Sequence, residues 1–287
     1  MKFTKMHGIG NDYVYVNCLE ETVHNPAETA RFVSDRHFGI GSDGLVLIGP
    51  SQTADFEMAM YNADGSRGEM CGNAIRCVAK YVYEHHMTDR TRIRIETLAG
   101  IKEVELDLEQ GCVASVHVDM GRPEFAPERI PVNLGTKEPD GRIVGFPLTV
   151  GETPYPVTCV SMGNPHCVVF MDDVDALAIE TIGPQFEHHP AFPNRVNTEF
   201  VTVLSRDTVR MRVWERGSAE TLACGTGACA AAVAAVLNGY TSRSVTVKLR
   251  GGDLRIVWDK ETGAVTMSGP AQSVFEGDIV LPQHCCG

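Results

Sequence analysis

Glu69-Met-Cys-Gly-Asn-Ala-Ile-Arg-Cys77 and Leu222-Ala-Cys-Gly-Thr-Gly-Ala-Cys229 are the two stretches that decide how this 287-residue chain is organised. Each sets a Cys-Gly pair at the head of an apolar run long enough for a helix. Two Gly-Asn segments recur with them: His7-Gly-Ile-Gly-Asn-Asp-Tyr-Val-Tyr-Val16 and Val160-Ser-Met-Gly-Asn-Pro-His-Cys-Val-Val169. Both read as a turn beside a β-branched, strand-like run. The shift from Asn11 to Asn164 equals that from Cys71 to Cys224, since 164 − 11 = 224 − 71 = 153. The same shift carries Asn62 onto Glu215 and Gly44 onto Asn197. Two kinds of motif keeping one offset indicate a diverged duplication, with two similar domains facing each other across a cleft.

Working outward, strands are predicted at 14–16, 45–48, 56–61, 92–97, 103–108 and 114–119 in the first half. Their counterparts in the second half are 157–161, 167–170, 198–204, 208–213, 244–249, 253–258 and 264–269. Helices are predicted at 25–35, 73–85 and 227–238. The run 228–237 is apolar at every position, as in a helix threaded through a core. The pattern predicts a mixed α/β (α+β) fold of two pseudo-symmetric domains. The first comprises residues 1–118 plus 270–287, the second 119–269. The Pro-rich stretch 122–156 reads as the crossover, and a short strand at 278–281 as a return to the first domain.

Charge narrows the partners. Lys and Arg number 25 against 37 Asp and Glu, a net charge of −12, which argues against nonspecific DNA, RNA or anionic-membrane binding. The N-terminal segment meets His7, Asn11 and Asp12 before an apolar signal can form, and the longest apolar run is far too short for a membrane span. A cytoplasmic protein is expected, with most of its ten cysteines as reduced thiols.

A cysteine at a helix start lies near unpaired backbone N–H groups and the positive end of the helix dipole, both of which favour the thiolate. The amides of Gly72-Asn73 and Gly225-Thr226 are free of bulky side chains and suited to a carboxylate. One such turn suggests a nucleophile; two related by duplication suggest a reacting atom held between two thiols. Inverting a stereocentre by deprotonation needs that arrangement, with a base on one face and an acid on the other. Carbanion charge growing on an amino acid's carboxylate would be met by preorganised dipoles, with no metal or electron-sink cofactor needed in principle.

The motifs Asn62-Ala-Asp-Gly-Ser66, Met70-Cys-Gly-Asn-Ala-Ile-Arg-Cys77, Gly163-Asn-Pro-His166, Val196-Asn-Thr-Glu199, Glu215-Arg-Gly-Ser218 and Ala223-Cys-Gly-Thr-Gly227 closely resemble the diaminopimelate epimerase family. The resemblance runs from Phe3 to near the C-terminus. It implies curved sheets, each wrapped around a central helix, with the active site in the interdomain cleft. It also implies a pyridoxal-phosphate-independent, two-base conversion of L,L-diaminopimelate to the meso form, for lysine and peptidoglycan synthesis. Carried over by position, Cys71 and Cys224 are the base/acid pair, with Cys71 on the L,L side. Gly72, Asn73, Gly225 and Thr226 hold the reacting carboxylate, and Asn11 and Glu215 the ammonium. Asn62, Asn164, Asn197 and Arg216 orient the substrate, Arg216 at the distal carboxylate; His166 and Glu215 tune the thiols. The resemblance further implies a homodimer, with no metal and no cofactor. One departure is Gly44, where some members of the family carry Gln.

Other features read blandly. Cys77 and Cys229 are core residues, Cys18, Cys112, Cys159 and Cys167 strand or core residues, and Cys285-Cys286 an exposed tail. The GxGxxG run Gly39-Ile-Gly-Ser-Asp-Gly44 follows no hydrophobic strand and opens no clear helix, so it does not read as a dinucleotide loop. His85-His86 and His188-His189 lack the spacing of a helical metal pair. Two other functions stay open. A proline or hydroxyproline racemase would use the same thiols but leave Asn62, Asn197 and Arg216 without a distal carboxylate. A thiol-redox or metal-binding protein would need clustered Cys/His spacing, which is absent.

Overall fold

The structure is a computed structural model and describes residues 1–135 and 138–285. The chain divides into two compact units, Met1–Asp119 with Ser268–Gly287, and Met120–Met267.

The first unit runs β1 (Lys2–Gly8), β2 (Asn11–Asn17), α1 (Pro26–Ser34), β3 (Gly44–Gly49), β4 (Phe56–Asn62), β5 (Arg67–Gly68), α2 (Gly72–Glu84), β6 (Arg92–Thr97), β7 (Gly100–Glu109) and β8 (Cys112–Asp119). Strand β1 pairs antiparallel with β2, β2 parallel with β3, β3 antiparallel with β4, and β4 parallel with β6. Parallel neighbours cannot be joined by a hairpin, and each parallel pair here is bridged by a helix: α1 between β2 and β3, α2 between β4 and β6.

The second unit repeats this plan with β9 (Phe146–Val150), β10 (Thr153–Ser161), β11 (Pro165–Phe170), α3 (Ile179–Glu187), β12 (Asn197–Ser205), β13 (Thr208–Glu215), β14 (Ala219–Glu220), α4 (Gly225–Leu237), β15 (Ser244–Leu249), β16 (Gly252–Trp258) and β17 (Val265–Gly269). The offset seen in the sequence is kept in the register. Val14 faces Leu45 as Cys167 faces Thr198, and Leu45 faces Tyr61 as Thr198 faces Trp214. Each residue of the second unit named here stands one full repeat after its counterpart in the first. Helix α4 begins and ends one repeat after α2 (72 to 225, 84 to 237), and α3 keeps the same shift from α1 (26 to 179, 34 to 187). The C-terminal strand β18 (Gln272–Asp278) pairs with β1 in the first unit, Lys2 opposite Asp278.

Helix α4 carries no charged residue and touches β10, β11, β12, β13, β15 and β16, so a sheet wraps around it. Its alanines let those strands approach closely, while Val233, fully buried, is worth about 1.5–3 kcal/mol of transfer free energy. Helix α2 is amphipathic, yet it buries Arg76 completely.

Three readings of the sequence are corrected. The stretch 122–156 is no bare crossover: it contains β9, and Ile130, Val132, Ile143, Leu148 and Val150 join the second unit's core. The last strand ends at Asp278 rather than beginning there, because residues 272–278 supply the partners of β1. Cys285 is buried, not in an exposed tail: it ends a 3₁₀ turn (Gln283–Cys285) that packs on α1, where Asn25 Nδ2 donates to the His284 carbonyl at 3.4 Å. Cys286 lies outside the described residues.

Candidate active site

Cys71 is the N-cap of α2, with extended φ −130° and ψ 120°, and the helix opens when Ile75 N–H bonds the Cys71 carbonyl at 2.9 Å. Its thiol donates to Asn11 Oδ1 at 3.3 Å, and Asn73 Nδ2 donates to the same oxygen at 3.3 Å. Asn11 Nδ2 in turn donates to Asp43 Oδ2 at 2.7 Å. Arg36 bridges Asp43 and Asp12 at 2.9 Å each, and Lys5 pairs with Asp12 at 2.6 Å. Burial pushes the Asp12 carboxyl up, but hydrogen bonds from Arg36 and Lys5 outweigh it and the net shift is downward. Asp43 goes the other way, raised by burial and then by the Asp12 charge. Tyr13, beside this group, is raised well above its ordinary range by burial, then by Cys71 and Asp43.

Cys224 caps α4 in the same conformation, φ −121° and ψ 111°, but its sulfur accepts: Gly227 N–H points to Sγ at 3.4 Å. Thr226 Oγ1 lies 3.5 Å from the sulfur and accepts from Asn164 Nδ2 at 3.3 Å, which leaves its own hydrogen for Cys224. Asn164 Oδ1 accepts from His166 Nε2 at 2.8 Å, and His166 Nδ1 shares a 2.7 Å hydrogen bond with Glu199 Oε1. His166 and Glu199 are both completely buried. Burial, then the charges of Glu215 and Glu199, hold the Cys224 thiol well above its ordinary value; the bonds from Thr226 and Gly227 pull down but lose.

The diaminopimelate epimerase family model matches residues 3–126 and 158–274. A diaminopimelate epimerase from Acetivibrio thermocellus is 60% identical over 98% of this chain and 99% of its own length. One from Methanococcus maripaludis is 57% identical, over 97% and 99%. The chain belongs to the diaminopimelate epimerase family. It is an isomerase of the epimerase type. Solved structures with much lower identity share the fold: a Bacillus anthracis phenazine biosynthesis protein of the PhzF family (TM-score 0.70, 16% identity, 98% of this chain and 99% of that one) and a probable proline racemase from Agrobacterium radiobacter (0.66, 15%, 98% and 93%).

The other residues named from the sequence make hydrogen bonds of their own. Asn197 donates to the Pro165 carbonyl at 2.9 Å and accepts the Arg216 amide at 2.9 Å, so it ties β11 to the turn after β13. The exposed Arg216 side chain donates to the Asn194 carbonyl at 3.1 Å. Glu215 accepts from the Thr221 hydroxyl. Asn62 is exposed at the end of β4 and donates to Ser66 Oγ at 2.9 Å. Gly44 has no room for a side chain, since a Cβ there would lie 2.1 Å from the Tyr61 carbonyl oxygen and 2.8 Å from the Tyr13 ring. The Gly39–Gly44 loop leads from a helix into strand β3, the reverse of a phosphate-binding strand-to-helix turn.

Sequence reasoning gave no role to Glu199, Arg76, Asp43 or Tyr13. Arg76 Nη2 donates to Asn73 Oδ1 at 2.9 Å, which turns the Asn73 amide toward Asn11. Glu199 carried a signal: an acid standing inside a strand, where the repeat places Val46.

Proposed function

We propose that this enzyme interconverts L,L- and meso-diaminopimelate by a two-base mechanism carried by Cys71 and Cys224, without pyridoxal phosphate. What carries the reading is the duplicated thiol at a helix start, found within a family named for that epimerisation. One thiolate removes the α-proton while the other thiol delivers a proton to the opposite face, and the roles exchange in reverse. Cys71 takes the proton from the L,L side; Cys224, whose environment favours the thiol, is the acid in that direction.

First-turn amides of Gly72, Asn73, Gly225 and Thr226 meet the charge that grows on the α-carboxylate. Asn11 and Glu215 receive the ammonium. Asn62, Asn164, Asn197 and Arg216 orient the chain of the substrate, with Arg216 at the distal carboxylate. His166 and Glu215 tune the thiols. The reading requires both thiols to reach one carbon in a site that excludes water. It places the enzyme in the cytoplasm as a homodimer supplying lysine and peptidoglycan synthesis.

Purified protein should epimerise L,L-diaminopimelate in a coupled assay with no added pyridoxal phosphate, and leave proline and hydroxyproline untouched. Turnover of proline with none of diaminopimelate would reject the substrate assignment.

A further inference from the structure

Glu199 is fully covered, and while Oε1 meets His166, its second oxygen Oε2 has no hydrogen-bond partner. Burying a carboxyl group in this way is costly: burial raises Glu199 above the ordinary carboxyl range while His166 pulls it back towards the charged form, so a reason is needed. Packing does not supply it, because the duplicated fold provides its own control. In the first unit Val46 lies opposite Tyr15; one repeat later, in the second, Glu199 lies opposite Val168. Val46 is just as buried, so the strand asks only for an apolar, β-branched side chain there.

Glu199 instead faces the first turn of α4. A Cβ on Gly227 would stand 2.7 Å from Glu199 Oε1 and 3.2 Å from Cys224 Sγ, so one methyl group there would touch carboxylate and sulfur together. The place of Gly227 in the first unit is taken by Ala74, and that of His166 by Tyr13. Three departures from the repeat, Glu for Val, Gly for Ala and His for Tyr, therefore gather around one thiol.

We propose that Glu199 is a positioning residue for Cys224: its buried carboxylate, anchored by His166 and given room by Gly227, keeps the proton on the sulfur so that this thiol stands ready as the acid. This rests on the two-thiol reading above. A sulfur that keeps its proton is the acid needed on the face opposite the thiolate base. The titratable groups that face Cys224 within its unit are Glu215 from β13 and Glu199 from β12, with His166 of β11 behind the latter.

The test is alkylation of the full-length protein by iodoacetamide at about pH 8.5, each cysteine followed by peptide mass spectrometry. In Glu199→Gln, Cys224 should react several-fold faster, since lowering a thiol pKa by one unit gives roughly tenfold more thiolate, partly offset by its weaker nucleophilicity, while Cys71 keeps its rate. Glu199→Val, the residue the fold accepts at the equivalent position, should move Cys224 the same way. In both variants the alkaline limb of the kcat/KM profile should move down by about one pH unit, because Cys224 gives up its proton sooner. An unchanged Cys224 rate in the folded variants would overturn the proposal, as would loss of folding in both, which would make the carboxylate structural. The alkylation readout needs no substrate, so it separates this failure from failure of the epimerase assignment.

Discussion

The two helix starts share a backbone and differ in almost everything that touches sulfur. At α2 the Cys71 thiol donates into an amide oxygen, and behind that amide lies a charged cluster that runs from the exposed Arg36 through Asp43 and Asp12 to the buried Lys5. At α4 the Cys224 sulfur accepts from a backbone amide, and the residues behind it, Asn164, His166 and Glu199, run into a closed interior. Burial and two carboxylates then hold Cys224 as a thiol despite the donors aimed at it. Duplication has thus kept the scaffold that presents a thiol and diverged the surroundings that set its basicity. A substrate whose two faces differ has a use for that asymmetry.

The comparison breaks most visibly at the sulfurs themselves. Cys71→Ser and Cys224→Ser should each lower epimerisation by about a thousandfold or more, a serine hydroxyl being a far poorer base than a thiolate. Cys77→Ser and Cys229→Ser, buried one to two turns further along the same helices, should retain most of the activity of the folded protein. Equal losses in all four would mean that position at the helix start confers nothing.

A smaller effect sharpens the same contrast in stability. Gly227→Ala puts a methyl group against Glu199 Oε1 and should destabilise the fold by about 1–3 kcal/mol in denaturant melts. Its mirror, Ala74→Gly, removes a methyl in a helix and should cost about 1 kcal/mol. If Gly227→Ala were stabilising, as helix propensity alone predicts, the close approach of carboxylate and helix would be wrong.

Much of this fold is legible in the sequence because alternation and β-branched residues mark the strands, and α2 and α4 are signalled by Cys-Gly starts before long apolar runs. Helix α3 escapes notice because Gly183 and Pro184 stand inside it; the tertiary contacts of its buried Phe186 override propensity. Strand β1 is missed because it alternates poorly: Lys5 is buried beside Met6, held by Asp12 and the Gly41 carbonyl. Cys285 reads as tail since nothing local shows that a 3₁₀ turn folds back onto α1.

The cysteines and the Gly-Asn turns of the candidate site are legible for a different reason, since the repeat aligns them. Arg76 and Glu199 stand in the quoted motifs, yet sequence alone does not reveal that both are completely buried. Burial is what gives each its leverage, the one on the Asn73 amide, the other on Cys224. Asn62 and Arg216 are the opposite case: the repeat and the family motifs single them out, while their own bonds go to nearby turns.

The central claim, that two thiols act on opposite faces of one carbon, is tested most directly by running the epimerisation in heavy water and reading deuterium at the inverted centre by mass spectrometry. A two-base enzyme delivers a proton that did not come from the substrate, so product should gain deuterium at that carbon faster than recovered substrate does. Product that keeps the original hydrogen through inversion would contradict the account.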